Sequence, residues 1–340
     1  MTLAERCDRA IRAGIGFLSS NQLSSGELKT LVGSDPDLRH DAQHDPSIFT
    51  TVNVATSLLE VDDSEARKVV GRAAEFLVSE MLPGGLWRFW TKSHPGSRGM
   101  PPDVDDTACV SMFLEGLGRT FPDSRRMLLA NRCRDGRFLT WITPRARHLT
   151  SAEGRAFLAA NWATKRARKL YFESGPQPPE PGNIDCVVNA NVVSYFGNSL
   201  DVAQAAAWVT GTVQNGHAAT NDRWYQSEAA LLYAVARGCE KHTESFCRIQ
   251  PVIAERAEKL QPLCHSALDA GLVASVLNVV IPASPRLVQC IDTILAMQEE
   301  DGGWPARVYY YDSHKRALCW GSRELSSGYC LEALTRFFRK

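Results

Sequence analysis

Apolar residues recur at helical spacing through most of the chain. In residues 3–18 and 64–82 they form one stripe, with Val69, Val70, Ala73, Phe76 and Leu77 sharing a face, the pattern of an amphipathic helix resting on a core. A second kind of segment opens with polar residues and is then apolar on nearly all sides: 50–59, 103–117, 183–196, 227–236, 265–280 and 322–337. Such a helix must be wrapped by neighbours. Strict two-residue alternation is almost absent, so strands are expected to contribute little.

The two kinds alternate as a repeated unit. A turn rich in glycine and aromatics comes first, as in 21–26, 83–90, 134–138 and 298–304. A loop follows, then the apolar helix with its polar opening, then an amphipathic helix. The fifth unit, entered at Cys264-His265-Ser266, lacks the aromatic turn. Six such pairs predict an all-α (α/α)6 toroid, six inner helices inside six outer ones. The polar openings then gather at one rim around a central cavity. Residues 1–340 are expected to form one domain with an insertion or lid at about 142–183. Its stretch 173–182 carries four prolines and two glycines, which no helix or sheet interior accepts. Just before it, Lys165, Arg166, Arg168 and Lys169 are expected on a solvated outer face.

Composition narrows the function. At 340 residues and 44% hydrophobic the chain can bury a large core. Lys plus Arg and Asp plus Glu both number 38, so no basic excess invites nucleic acid or an acidic membrane surface. The charged N-terminus lacks a signal-peptide apolar run, and the longest mostly apolar stretch, about 270–283, is too short to span a bilayer. Ten cysteines form no CxxC pair. Cys109, Cys186, Cys290 and Cys330 fall inside apolar helical patterns and are expected as reduced core thiols of a cytoplasmic protein.

The densest candidate chemistry is Met100-Pro101-Pro102-Asp103-Val104-Asp105-Asp106-Thr107-Ala108-Cys109. The prolines stop any earlier helix, so a new one starts at the aspartates, where the helix dipole favours negative charge. One or two acids suffice for a cap. A third costs repulsion unless one keeps its proton, and a carboxylic acid held neutral by charged neighbours is a general acid.

Asp103-Val104-Asp105-Asp106-Thr107-Ala108 resembles the DxDD signature of class II terpene cyclases, in the DVDDTA form of squalene–hopene cyclases. Residues 298–304, a glutamine followed by Asp301-Gly302-Gly303-Trp304, look like the QW repeat of the same superfamily. Residues 83–87 and 135–138 are weaker versions of that turn. The resemblance implies a terpenoid-biosynthesis enzyme in which Asp105 is the proton donor, Asp106 and Asp103 support it, and the substrate is an isoprenoid alkene or epoxide. The residues suit that chemistry. Protonating an alkene needs a poised acid in a dry cavity, and the carbocation needs aromatic walls that stabilise without attacking. Expected substrate-binding residues are Trp87, Trp90, Asp185, Asn189, Trp224, Tyr225, Trp320 and Glu324. Asp185 and Asn189, four apart, share a face and could orient Asp105, while Asn191 points elsewhere. No cofactor is implied beyond Mg2+ if the substrate is a diphosphate, for which Arg88, Lys92 and Arg98, with His94, are the candidate partners. Squalene–hopene cyclases enclose their cavity between two helical domains. This chain has room for one, so its loops or a second subunit of a homo-oligomer must close the cavity.

Two other readings compete. Toroids include zinc enzymes, the protein prenyltransferases and the lanthionine cyclases, and Cys264, His265 and Cys319 supply ligand types for such a site, in reversed order relative to the lanthionine cyclases. A non-catalytic toroid that binds a small molecule or a protein is the third. His44, His94 and His314 are expected as solvent-facing loop histidines.

Overall fold

The computed structural model describes residues 2–162, 184–312 and 316–339. Among them, six helices form an inner ring: α2 (Phe49–Leu58), α4 (Val104–Gly116), α6 (Cys186–Phe196), α8 (Glu228–Glu240), α10 (Ala267–Val280) and α12 (Arg323–Phe338). Each packs on the next, and α12 returns to α2. Outside lie α1 (Leu3–Asn21), α3 (Ser64–Glu80), α5 (Arg125–Ala130), α7 (Ala203–Asn215), α9 (Gln250–Leu260) and α11 (Pro285–Met297). The expected toroid is therefore present. In α4 every residue from Val104 to Leu114 is buried, whereas α11 buries one stripe, Leu287, Cys290, Ile291 and Ile294. Wrapped and amphipathic patterns became inner and outer helices, as burial of apolar surface requires.

The glycine-aromatic turns join the two rings by one repeated hydrogen bond. The backbone N–H groups of Leu28, Trp87, Phe138 and Trp304 donate to the side-chain oxygens of Thr51 (2.9 Å), Thr107 (3.1 Å), Asn189 (2.8 Å) and Ser327 (3.1 Å). Each acceptor lies in the first turns of an inner helix. The polar openings thus seat the turns as well as capping the helices. The indole N–H of Trp87 reaches Leu77 O (2.7 Å) and that of Trp304 reaches Ile294 O (2.8 Å), satisfying carbonyls that the last turns of α3 and α11 leave open. Gln22 and Gln298 close the same turn in units one and six, donating to Gly26 O and Gly302 O at 2.8 Å each. Gly26 and Gly302 sit at φ +92° and +90°, and a Cβ there would lie 2.3 Å from Arg72 O and 2.4 Å from Ala13 O, so only glycine fits.

Strands are the addition to the expected architecture. β1 (Leu31–Gly33), β2 (Gln43–His44), β3 (Val308–Tyr311) and β4 (Cys319–Gly321) form an antiparallel sheet in the order β2-β1-β4-β3. It ties the loop of unit one to that of unit six, where the ring closes. Strands of two to four residues are too short to show a period in the sequence. Of the proposed insertion, the described part holds the helix Ala152–Trp162; the proline-rich stretch 173–182 and the basic segment lie outside the described residues, as does His314. Among the described residues no helix is long and apolar enough to cross a membrane.

Candidate active site

The acidic stretch becomes the entrance of α4. Asp103 is extended (φ −103°, ψ 136°) and caps the helix, its Oδ1 accepting the N–H groups of Asp105 (2.7 Å) and Asp106 (3.0 Å). That bond pair points the next two carboxyls inward. Asp105 Oδ1 accepts the amide N–H of Asn191 from α6 (2.7 Å), and the Tyr225 hydroxyl meets its Oδ2. Asp106 Oδ1 is buried without a hydrogen-bond partner among the described residues. Asp103, Asp105 and Asp106 are 6%, 6% and 3% exposed.

All three carboxyls line a cavity of about 310 Å³, at the small end of ligand pockets. The rest of its wall is mainly aromatic: Phe49, Phe89, Trp90, Trp141, Trp224, Tyr225, Tyr310, Tyr311 and Trp320. Asp312 is the only other charged residue in the lining among the described residues, which holds no lysine or arginine. Burial pushes the Asp105 carboxyl up to about 6, opposed by the hydrogen bonds from Tyr225 and Asn191. Asp103 and Asp106 are driven well above the usual carboxylate range, by burial first and by neighbouring aspartates next. Three carboxyls in one water-poor corner cannot all be ionised; the set keeps at least one proton at neutral pH.

Of the residues anticipated for substrate, Trp90, Trp224, Tyr225 and Trp320 line the cavity. Trp87, Asp185, Asn189 and Glu324 do not. Trp87 is wholly buried as the staple onto Leu77 O. Asp185 caps α6 through Val187 N–H and Val188 N–H, and its other oxygen accepts Arg223 N–H (2.7 Å) and Trp224 N–H (3.0 Å). Asn189 is committed to Phe138 and to Asp185 O. Glu324 is buried beside Lys29 and Ser322. The amide that reaches Asp105 is Asn191, which does point away from Asp185 and Asn189.

The basic loop expected to hold a diphosphate does not face the hollow. Lys92 donates to Ser79 O at the end of α3 (2.5 Å), Arg98 is exposed, and Arg88 is half-buried outside the lining. His94 is not solvent-facing: it stacks on Trp90 at 4.2 Å and pairs with Asp45. His44 pairs with Glu27. Cys264, His265 and Cys319 do not converge. The Cys264 thiol donates to Leu260 O and that of Cys319 to Gly33 O and Asp35 O, and no group of three or more His, Cys, Asp or Glu among the described residues is arranged to hold a metal ion.

Phe49, Trp141 and Asp45 had not been anticipated. Phe49 opens α2 at the same rim, a signal present in the repeat phase. Trp141 pairs with Asp103 in an isolated bridge, and Asp45 binds two cavity tryptophans; both depend on tertiary contacts.

The closed ring of six helix pairs is a fold that this chain shares with type II terpene cyclases of known structure. The ligand-free structure of the type II terpene cyclase MstE from Scytonema matches at a TM-score of 0.67 and 12% identity, covering 100% of this chain and 99% of that one. A variant of MstE in complex with its substrate, geranylgeranyl dihydroxybenzoate, matches at 0.65 and 12% identity over 99% of both chains. A protein from Actinoplanes matches at 0.69 and 15% identity, covering 98% of this chain and 100% of that one. In sequence, the drimenol cyclase drtB of Aspergillus calidoustus is 26% identical over 156 residues, 45% of this chain and 29% of that protein, so the match spans less than a third of the relative's length. No family model matches the chain.

Proposed function

We propose that the chain is a protonation-initiated terpenoid cyclase with Asp105 as the general acid. One observation carries the reading: the Asp105 carboxyl, held by Asn191 and Tyr225, faces a hollow walled by aromatic rings and free of lysine and arginine among its described residues. The Asp105 proton adds to one carbon of an isoprenoid alkene, bonded by the π pair, or to an epoxide oxygen, bonded by an oxygen lone pair while the C–O bond breaks and its electron pair goes to oxygen. The cation is left at the more substituted carbon. Further double bonds attack it in turn, forming C–C bonds, until a proton is lost or water adds. A proton returning to the Asp105 carboxylate completes the cycle. Aromatic faces lower the energy of each cation without offering a lone pair, and the absence of cationic side chains spares it repulsion.

Asp103 orients the donor through the helix backbone. Asp106 adds negative charge beside it or carries the second proton of the coupled set. The drimenol cyclase resemblance and the MstE fold support an isoprenoid substrate. The ten free thiols support a reducing, cytoplasmic location. The test is incubation with farnesyl diphosphate, geranylgeranyl diphosphate, squalene and geranylgeranyl dihydroxybenzoate, with products identified by mass spectrometry. Wild type should cyclise at least one of these and Asp105→Asn none; equal turnover by both would overturn the assignment.

A further inference from the structure

A carboxylate not used so far stands behind two of the cavity's tryptophans. Asp45 lies between β2 and α2 and is 7% exposed. Its Oδ2 accepts the indole N–H of Trp90 (2.9 Å) and that of Trp320 (2.7 Å). Its Oδ1 lies 3.0 Å from His94 Nε2. His94 Nδ1 accepts the Gly96 N–H at 3.0 Å, so Nε2 carries the ring proton and donates it to Asp45. Three N–H donors converge on one acceptor-only group. Face contacts complete the clamp: His94 stacks on Trp90 (19° between planes) and Tyr310 on Trp320 (2°). Asp45 is absent from the cavity lining, so its oxygens cannot attack a cation there.

Resting on the cyclase reading above, we propose that Asp45 is a positioning residue that makes Trp90 and Trp320 a paired cation-stabilising wall. It fixes both ring planes from behind. By accepting both indole N–H hydrogen bonds on one carboxylate oxygen it also pushes electron density toward the ring faces, which strengthens their attraction for positive charge. A mere clip between loops would need the hydrogen bonds but would have no preference for a cation over a neutral ligand of the same shape.

That difference is the test. Calorimetry on the full chain would compare dodecyltrimethylammonium with its neutral all-carbon isostere. Wild type should bind the cation at least about tenfold tighter than the isostere, an advantage typical of a desolvated cation–π site. Asp45→Asn should cut that preference several-fold, leaving what the cavity's own carboxyls supply, while holding the isostere within about twofold. In a Trp90→Phe/Trp320→Phe background, which keeps rings and drops both N–H donors, Asp45→Asn should change nothing further, the signature of coupling through the indoles. Equal weakening of both ligands, a preference undiminished by Asp45→Asn, the same loss in the Phe background, or no preference in wild type would each overturn the proposal. If Asp45→Asn does not fold, the Phe pair alone must lower the preference several-fold, and an undiminished preference would be as damaging. The acid assignment is judged by turnover of Asp105→Asn and this one by the cation-to-neutral ratio, so either can fail alone.

Discussion

At the entrance of α4, Asp103 accepts the N–H groups of the residues two and three places on, and at the entrance of α6 Asp185 does the same for Val187 and Val188. Four places after each cap, Thr107 and Asn189 receive the N–H of a turn aromatic, Trp87 and Phe138. Cap and staple are thus shared. The difference lies in what fills the positions between them. At α6 they are Cys186, Val187 and Val188, and the free oxygen of Asp185 is spent on the Arg223 and Trp224 N–H groups. At α4 two of the three are further carboxyls, one with an oxygen that bonds to nothing described. A frame needs at most one capping side chain per entrance, and at α8, α10 and α12 an uncharged serine, Ser227, Ser266 or Ser322, suffices. The acids beyond that number are costly to bury and are where chemistry is found.

Asp105→Asn should separate the two entrances most sharply. Removing the acid should lower turnover by about a thousandfold or more, within the range for a lost general acid, while the melting temperature at pH 7 holds or rises. The rise follows from sign. The Asp105 carboxyl is raised to about 6 in the fold, so its contribution to stability is present below its ordinary value near 4 and is lost as pH climbs through 6. At α6 the expectation reverses. Asp185→Ala orphans four backbone N–H groups and should cost about 4 kcal/mol or more, seen by denaturant unfolding, with activity lost only as structure is lost.

Much of this was legible from residues alone. The alternation of wrapped and striped helices gave the ring, because a helix apolar on all sides has nowhere else to go. The surplus of acids in residues 103–106 located the site for the same reason that distinguishes it from α6. What could not be read depends on contacts across the ring. Asn189 and Asn191 are indistinguishable by composition, and only the seat taken by Phe138 shows which amide is left for Asp105. Trp87 and Trp90 are both turn aromatics three residues apart, yet one staples α3 and the other faces the hollow. Lys92 and Arg98 looked like an anion site because they precede the acids in sequence, but the turn carries them away from the wall. The sheet that closes the ring pairs strands nearly 290 residues apart, β1 with β4, and no local pattern announces it.

The pH profile tests the α4 entrance without mutation. An acid must hold its proton to give it, so turnover should level off below about pH 6 and fall about tenfold per unit above it, the behaviour of a single general acid. The Asp103 and Asp106 carboxyls are also driven well above the usual carboxylate range, by burial first and by neighbouring aspartates next. A limb that began only well above 6 would therefore assign the proton to that pair instead of to Asp105.

Tyr225→Phe should give the smallest change and the most discriminating one. The phenol is a hydrogen-bond donor to Asp105, and a donor favours the ionised carboxylate. Losing it should move the acid limb of the profile to higher pH. Above pH 6 more enzyme would then carry the proton, but the proton would be held more tightly and each transfer would be slower. The two effects oppose one another, so the plateau rate should drop by a few-fold while the rate near pH 8 changes little. The ring stays, and with it the edge contact to Tyr309 at 5.2 Å, so the aromatic wall is preserved. A profile displaced to lower pH would mean that Asp105 donates its own proton to the phenol oxygen in the resting state. The hydroxyl would then be the acceptor that holds the acid neutral.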